Sequence, residues 1–182
     1  MDFFLSLDSS TNLFFSASAT ANWLTFMNTV TNIISPETVS IVAAIGILLF
    51  LYKKSWKNAL ITAVSFGGGL GLSMLFKLII MRARPESAFI VETGYSLPSN
   101  HAVAAAIFFT LIIYFFAPKI RSFICRNIFI AVSVFLALLT GFSRIYLGVH
   151  WLSDVVVGLL FGTLWTLLVI FLVKKYSDKA LK

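Results

Sequence analysis

Charged residues are scarce in this chain. Only 12% of its 182 residues are Asp, Glu, Lys or Arg, whereas 59% are hydrophobic and the mean hydropathy is +0.97. A soluble globular domain carries about 25% charged residues. The composition therefore excludes a water-soluble surface and predicts a chain that lies largely in lipid. The length suits one domain better than two, and we expect a single domain over residues 1–182.

Cysteine is almost absent as well. Because Cys125 is the only one, the chain cannot form an internal disulfide or a cysteine-based metal cluster. Basic residues outnumber acidic ones by 14 to 7, which gives a net charge of +7. They fall in short loops and form no continuous basic stripe, so the sequence excludes a nucleic-acid-binding protein.

Five stretches without charged residues predict an all-α, polytopic membrane bundle, since a helix needs roughly 17–25 apolar residues to cross a bilayer. They are residues 38–52, 58–76, 101–117, 127–143 and 155–173. The first is short, and Pro36, a favoured residue in the first turn of a helix, would lengthen it. Gly67, Gly68, Gly69 and Gly71 lie in the second stretch and predict close helix packing.

The N-terminal segment, residues 1–36, is apolar in part but rich in Ser, Thr and Asn. Its larger apolar side chains recur at helical spacing. They are Trp23, Phe26, Met27, Val30, Ile33 and Ile34. This pattern predicts an amphipathic helix that lies at the membrane interface or packs on the bundle. A sixth span is the alternative.

Loop charges predict the topology. Ten of the 14 basic residues share one side of a five-span chain, which the positive-inside rule makes cytoplasmic. These ten are Lys53, Lys54, Lys57, Lys119, Arg121, Arg126, Lys174, Lys175, Lys179 and Lys182. Ionisable residues on the opposite side are functional candidates, because the rest of the chain avoids charge. The candidates there are Lys77, Arg82, Arg84, Arg144, His101, His150 and Asp154.

Three of these cations indicate a phosphate site. Lys77, Arg84 and Arg144 can neutralise a phosphate and the additional charge that develops during phosphoryl transfer. Ser99 is placed to cap a helix that begins near His101. The N-terminus of that helix would point backbone N–H groups at the same anion.

The two histidines supply the chemistry that such a site needs. His150 and Asp154 are four residues apart, so one face of a helix can hold them in contact. A carboxylate on one ring nitrogen fixes the imidazole tautomer and leaves the other nitrogen free to attack phosphorus. His101 can then give a proton to the leaving alkoxide.

Three motifs resemble those of the type 2 phosphatidic acid phosphatase superfamily, in its short bacterial form. They cover residues 77–154, in the family's order and spacing. The motifs are Lys77-(x)6-Arg84-Pro85, Pro98-Ser99-Asn100-His101 and Ser143-Arg144-(x)5-His150-(x)3-Asp154. The resemblance implies a membrane phosphatase that forms a phosphohistidine intermediate and needs no metal or other cofactor.

The resemblance also implies a role for each motif residue. His150 would be the nucleophile, Asp154 its orienting partner, and His101 the general acid and then the base that activates water. The implied phosphate ligands are Lys77, Arg84, Ser99, the backbone N–H of Asn100, and Arg144. The second motif usually has Gly where this chain has Asn100. Asn tolerates unusual backbone angles better than most residues, which favours survival of the oxyanion-binding backbone.

We therefore expect a phosphatase of membrane lipids in a bacterial cytoplasmic membrane, with its site on the extracytoplasmic side. Candidate substrates are undecaprenyl diphosphate, phosphatidylglycerophosphate, phosphatidic acid and lipid A. A lipid phosphotransferase with the same intermediate is one alternative, and a small ion or proton transporter is another. We expect Arg82 to be a membrane anchor or head-group contact, and Glu86 and Glu92 to be ordinary solvated residues. The oligomeric state stays open.

Overall fold

The computed structural model describes residues 2–177, which fold into α-helices joined by short connections, except for the long loop of residues 81–99. The helices are α1 (Asp2–Ser18), α2 (Ala21–Ile33), α3 (Pro36–Tyr52), α4 (Trp56–Ile80), α5 (Asn100–Phe116), α6 (Phe123–Tyr146) and α7 (Leu152–Ser177). A short 3₁₀ helix, Ala117–Lys119, follows α5. Among the described residues, five stretches are long and apolar enough to cross a membrane, counting Ala21–Tyr52 as one. The predicted all-α membrane fold is confirmed.

The N-terminal segment differs from the single amphipathic helix predicted over residues 1–36. It forms α1 and α2, and the chain breaks at Ile34 and Ser35 before α3 begins at Pro36. Ser35 caps α3 by accepting a hydrogen bond from the backbone N–H of Thr38 at 3.1 Å. The break between α1 and α2 was not predicted from the sequence, because neither Gly nor Pro lies between these two helices.

Both N-terminal helices pack on the outer face of the bundle. α2 packs on α6, and α1 packs on α6 and α7. Met27 of α2 is buried against Tyr146 and Leu147, with Phe15 of α1 beside them. Burial of these apolar surfaces fixes the two helices over the segment that joins α6 to α7.

Helix α5 is the centre of the bundle. It contacts α3, α4, α6 and α7, and the residues of its first turns are buried without interruption from 102 to 107. Gly162 of α7 lies so close to α5 that a Cβ there would come within 2.6 Å of the Val103 carbonyl oxygen. Small residues therefore bring the starts of α5 and α7 together.

The glycines of α4 are only partly used for packing. A Cβ on Gly68 or Gly69 would meet the ring of Trp165, whereas Gly67 and Gly71 have nothing within 4 Å of that position. The close packing predicted for this run is therefore made by two of its four glycines.

The ends of four helices meet on one side of the bundle. The last turn of α4 carries Lys77, and the last turn of α6 carries Arg144. The first turn of α5 contains His101, and the first turn of α7 contains Asp154. Lys53 and Lys119 line one groove on the other side. Lys179 and Lys182, two of the cations used to predict topology, lie outside the described residues.

Candidate active site

His150 and Asp154 form a buried pair at the start of α7. Nδ1 of His150 lies 3.4 Å from Oδ2 of Asp154, and both side chains are almost completely buried. The same Oδ2 accepts a hydrogen bond from the backbone N–H of Trp151 at 3.0 Å. Gly148 has a φ of +69°, and a Cβ there would lie 2.7 Å from the Ser87 carbonyl oxygen. Only glycine fits this turn, which delivers His150 to the site.

Arg84 determines the tautomer of His150. Its Nη1 lies 3.1 Å from Nε2 of His150 and also donates to the Val149 carbonyl oxygen at 2.8 Å. A guanidinium can only donate, so Nε2 of the imidazole accepts and its proton is on Nδ1, facing Asp154. The lone pair of Nε2 therefore points away from Asp154 and toward the cations.

His150 is neutral at physiological pH. Its pKa is lowered to about 4, chiefly because burial disfavours the imidazolium form. Asp154 raises this pKa through its hydrogen bond, but the positive charges of Arg84 and Arg144 act in the opposite direction. A neutral imidazole is the form that can act as a nucleophile.

The second motif forms the start of α5. Ser99 caps this helix as predicted, with its side chain accepting from the N–H of Ala102 at 3.5 Å. Its own N–H donates to the Asp154 carbonyl oxygen at 3.1 Å and so ties α5 to α7. Asn100 is already helical, and its Oδ1 accepts a hydrogen bond from Ser73 of α4 at 2.7 Å. Asparagine therefore fits this position without the unusual backbone angles of glycine.

His101 lies in the same cavity as His150. Within residues 2–177, its side chain makes no hydrogen bond, which leaves both ring nitrogens for a bound ligand. The cavity has a volume of about 430 Å³. Its polar lining includes Lys77, Arg84, Glu92, Asn100, His101 and His150, and its apolar lining includes Pro36, Met74 and Leu78.

Lys77 lines this cavity, Arg144 contacts Glu92 of the lining, and both basic side chains are buried. Nζ of Lys77 donates to the carbonyl oxygens of Tyr95 at 2.5 Å and Ser96 at 3.2 Å. Arg144 is only 1% exposed and donates from Nη1 to Oγ1 of Thr31 at 3.0 Å. Its Nε has no hydrogen-bond partner in the described part of the chain. A buried donor without a hydrogen-bond partner costs free energy.

Glu92 is not the ordinary solvated residue that the sequence suggested. Its carboxylate accepts a hydrogen bond from Nη2 of Arg144, and it lies 3.6 Å from Nη2 of Arg84. The carboxylate thus lies between these two arginines. One Glu in a loop carries no pattern from which this contact could be read, whereas Glu86 is exposed as predicted.

Arg82 is likewise not a membrane anchor or head-group contact. Nη1 donates to Oδ1 of Asp154 and Nη2 donates to Oδ2 of Asp8, both at 2.6 Å. Asp8 belongs to α1 and is 3% exposed. Sequence reasoning missed Asp8 because 74 residues separate it from Arg82.

Comparison with known proteins gives the family. The profile of the PAP2 superfamily matches residues 58–178, which includes all three motifs. The chain belongs to the PAP2 superfamily.

Within residues 2–177, no group of three or more His, Cys, Asp or Glu side chains is arranged to hold a metal ion.

Curated PAP2 relatives include three proteins with lipid substrates. The chain is 36% identical over 143 residues to phosphatidylglycerophosphatase B of Bacillus subtilis, covering 76% of this chain and 67% of that protein. It is 29% identical to undecaprenyl-diphosphatase of Sulfolobus acidocaldarius, covering 64% and 55%. It is 35% identical to lipid A 1-phosphatase of Rhizobium etli, covering 63% and 49%. The chain thus spans about half the length of the last two relatives.

Two solved structures share the fold. The transmembrane phosphatidylglycerolphosphate phosphatase of Bacillus subtilis superposes with a TM-score of 0.82 at 28% identity, covering 98% of this chain and 88% of that one. LpxE of Aquifex aeolicus gives a TM-score of 0.63 at 19% identity, covering 90% and 94%. The second likeness concerns the fold alone. The first supports the arrangement of transmembrane helices described above.

Proposed function

We propose that this PAP2 protein hydrolyses a phosphomonoester or diphosphate of a membrane lipid, and that His150 is its nucleophile. One observation carries the proposal: a buried, neutral imidazole directs its unprotonated nitrogen, Nε2, at a cavity lined by Lys77 and Arg84, and Arg144 contacts Glu92 of the same lining. The unpartnered Nε of Arg144 adds a donor that a phosphate oxygen would satisfy.

In the proposed reaction, the phosphate group of the substrate displaces the Glu92 carboxylate from its arginine partners. The phosphoryl oxygens take the place of the Glu92 carboxylate on Arg84 and Arg144, and Arg84 moves off Nε2 of His150. Arginine suits this exchange because its planar fork binds two oxygens of either a carboxylate or a phosphate. The freed Nε2 then faces phosphorus.

The first chemical step transfers the phosphoryl group to His150. The Nε2 lone pair forms a bond to phosphorus while the bond from phosphorus to the lipid or diphosphate oxygen breaks. The negative charge of the bound phosphate group favours the imidazolium form of His101, which gives its extra proton to that leaving oxygen and becomes neutral. Asp154 accepts the Nδ1 hydrogen bond and stabilises the positive charge that develops on the imidazole. Lys77, Arg84 and Arg144 stabilise the charge on the phosphoryl oxygens.

The second step returns the enzyme to its starting state. His101, now neutral, takes a proton from water, and the water oxygen attacks phosphorus. The bond between phosphorus and Nε2 breaks, and inorganic phosphate leaves. A lipid phosphotransferase would follow the same course with an alcohol in place of water.

The lipid tail has a route to the site. The cavity is lined by Pro36 at the start of α3 and by Met74 and Leu78 of α4. Met74 and Leu78 are 56% and 57% exposed, as residues that face lipid are. We propose that the tail stays in the bilayer and the head group enters between α3 and α4. The site would lie on the extracytoplasmic side of a bacterial cytoplasmic membrane, because the loops at the other end carry most of the cations.

The charge distribution favours an enzyme over a transporter. The ionisable side chains of the site gather where helices end, and none lies midway along α5 or α7. A proton or ion relay would need ionisable groups through the depth of the bilayer.

The test is phosphate release by purified protein in detergent. The substrates are undecaprenyl diphosphate, phosphatidylglycerophosphate, phosphatidic acid and lipid A, each with and without EDTA. We expect release from at least one lipid, undiminished by EDTA and inhibited by vanadate. The control is the same preparation from cells without the gene. Release from none of them, or release only with an added divalent metal, would contradict the proposal. Transfer to an added alcohol in place of release would favour the phosphotransferase.

A further inference from the structure

We propose that Asp8 of α1 is a positioning residue for the nucleophile, acting through Arg82 on the contact between Asp154 and His150. This inference rests on the proposed function. Asp8 lies outside all three motifs, in α1, which is not among the stretches of the described chain that are long and apolar enough to cross a membrane.

Asp8 is held as a buried anion. Its Oδ1 accepts from the backbone N–H of Ser153 at 2.9 Å, and its Oδ2 accepts from Oγ of Ser153 and Nη2 of Arg82, each at 2.6 Å. Burial alone would raise the pKa of Asp8, but the hydrogen bonds from Ser153 and Arg82 outweigh it and lower the pKa. The carboxylate therefore stays charged and keeps its hold on Arg82.

The guanidinium of Arg82 donates hydrogen bonds to two carboxylates, those of Asp8 and Asp154. Nη2 goes to Asp8, while Nη1 goes to Oδ1 of Asp154 and to Oγ of Ser153. Asp154 thus receives only one of the two terminal nitrogens of Arg82. Its second oxygen, Oδ2, is left to the Trp151 N–H and to Nδ1 of His150.

Binding to two different carboxylates has a consequence, because a guanidinium often binds both oxygens of one carboxylate. Without the charge on Asp8, Nη2 of Arg82 has no competing partner and is free to turn to Oδ2 of Asp154. That oxygen would then face a charged donor in place of the weaker donor on His150. Asp8 prevents this by holding Nη2, so Oδ2 stays available to orient the imidazole.

The test compares Asp8→Asn with Asn12→Ala. Asparagine at position 8 keeps the shape of the side chain but not its charge. Asn12 is the matched control, because it also ties α1 to the 81–99 loop: its side chain accepts a hydrogen bond from Ser87 at 2.6 Å, and it makes no hydrogen bond to Asp154 in the described part of the chain. We expect kcat of Asp8→Asn to fall about 10-fold with KM within about 2-fold, as for other residues that orient a reacting group indirectly. Asn12→Ala should keep the kcat of the wild type.

A double-mutant cycle separates positioning from general structure. If Asp8 acts through Asp154, Asp8→Asn should lower kcat no further in an Asp154→Asn background, because the contact it protects is already lost. Multiplicative losses would overturn the inference. So would an unchanged kcat in Asp8→Asn, or equal losses in Asp8→Asn and Asn12→Ala. If Asp8→Asn does not fold, Ser153→Ala replaces it and should lower kcat about 3-fold, since it removes one of the contacts that fix Asp8 and Arg82.

A second readout does not depend on turnover. In His101→Gln protein, the Nδ1 proton resonance of His150 reports its hydrogen bond to Asp154. We expect Asp8→Asn to move this resonance upfield, and an unmoved resonance would overturn the inference. Because wild-type phosphate release is measured separately, a failure of the proposed function is distinguishable from a failure of the positioning role.

Discussion

Nη1 of Arg84 lies 3.1 Å from Nε2 of His150, and this contact places the imidazole proton on Nδ1. With the burial of His150 and the charge of Arg144, it also explains why the pKa of His150 is lowered to about 4. The chain has only two histidines. In His101→Gln protein, His150 is therefore the only histidine signal in an NMR titration.

The titration should show His150 losing its proton near pH 4. The sign follows from the lowered pKa: His150 is neutral at any pH well above 4 and becomes a cation, without a nucleophilic lone pair, as the pH falls through 4. His150→Gln protein, which keeps only His101, identifies the signal. A midpoint for His150 at 6 or above would contradict this electrostatic account.

Asp154→Asn should lower turnover more than substrate binding. The amide keeps the size of the carboxylate but cannot hold the Nδ1–H tautomer of His150 in the same way. In a serine protease triad, the corresponding change costs about 10⁴-fold in kcat, and we expect at least about 100-fold here. Steady-state kcat and KM are the measurement. A raised KM with an unchanged kcat would place Asp154 in the phosphate pocket instead.

Glu92→Gln should bind phosphate analogues more tightly. The Glu92 carboxylate competes with any anion for Arg84 and Arg144, and the neutral amide competes less. We expect the inhibition constant of vanadate to fall about 10-fold, equivalent to about 1.4 kcal/mol. Glu86→Gln is the matched control, because Glu86 is exposed in the same loop. Weaker vanadate binding in Glu92→Gln would show that Glu92 helps to hold the anion.

Gly162→Ala should destabilise the protein. The new methyl group would come within 2.6 Å of the Val103 carbonyl oxygen and push α7 away from α5. Overpacking of this kind costs about 1–3 kcal/mol. Gly46→Ala is the control, since nothing lies within 4 Å of a Cβ there. Thermal unfolding in detergent is the measurement, and equal unfolding temperatures for the two variants would contradict the close packing of α5 and α7.

The sequence was informative wherever residues near in the chain make the contact. The cap at Ser99 follows from helix geometry. The contact between His150 and Asp154 is found, but the prediction that one helix face holds both residues is wrong, because His150 lies in the turn before α7 begins at Leu152. Because charged residues are scarce, Lys77, Arg84 and Arg144 could be identified as candidate site residues from the sequence. The long apolar stretches were enough to predict the five spans.

Contacts between residues far apart in the chain could not be predicted from the sequence. Asp8 meets Arg82, and Glu92 meets Arg144, only because α1 and the 81–99 loop fold over the ends of the long helices. Asp8 and Glu92 are single charges that belong to no motif and no periodic pattern. Thr31 is similar, since its contact with Arg144 depends on how α2 packs against α6.

The central claim is that Nε2 of His150 attacks phosphorus, and turnover by His150→Gln protein tests it most directly. The comparison uses the lipid that wild-type protein hydrolyses fastest, and thermal unfolding in detergent checks that the variant is folded. The account predicts a folded variant with no phosphate release above the background of the assay. Sustained turnover by that variant would contradict it.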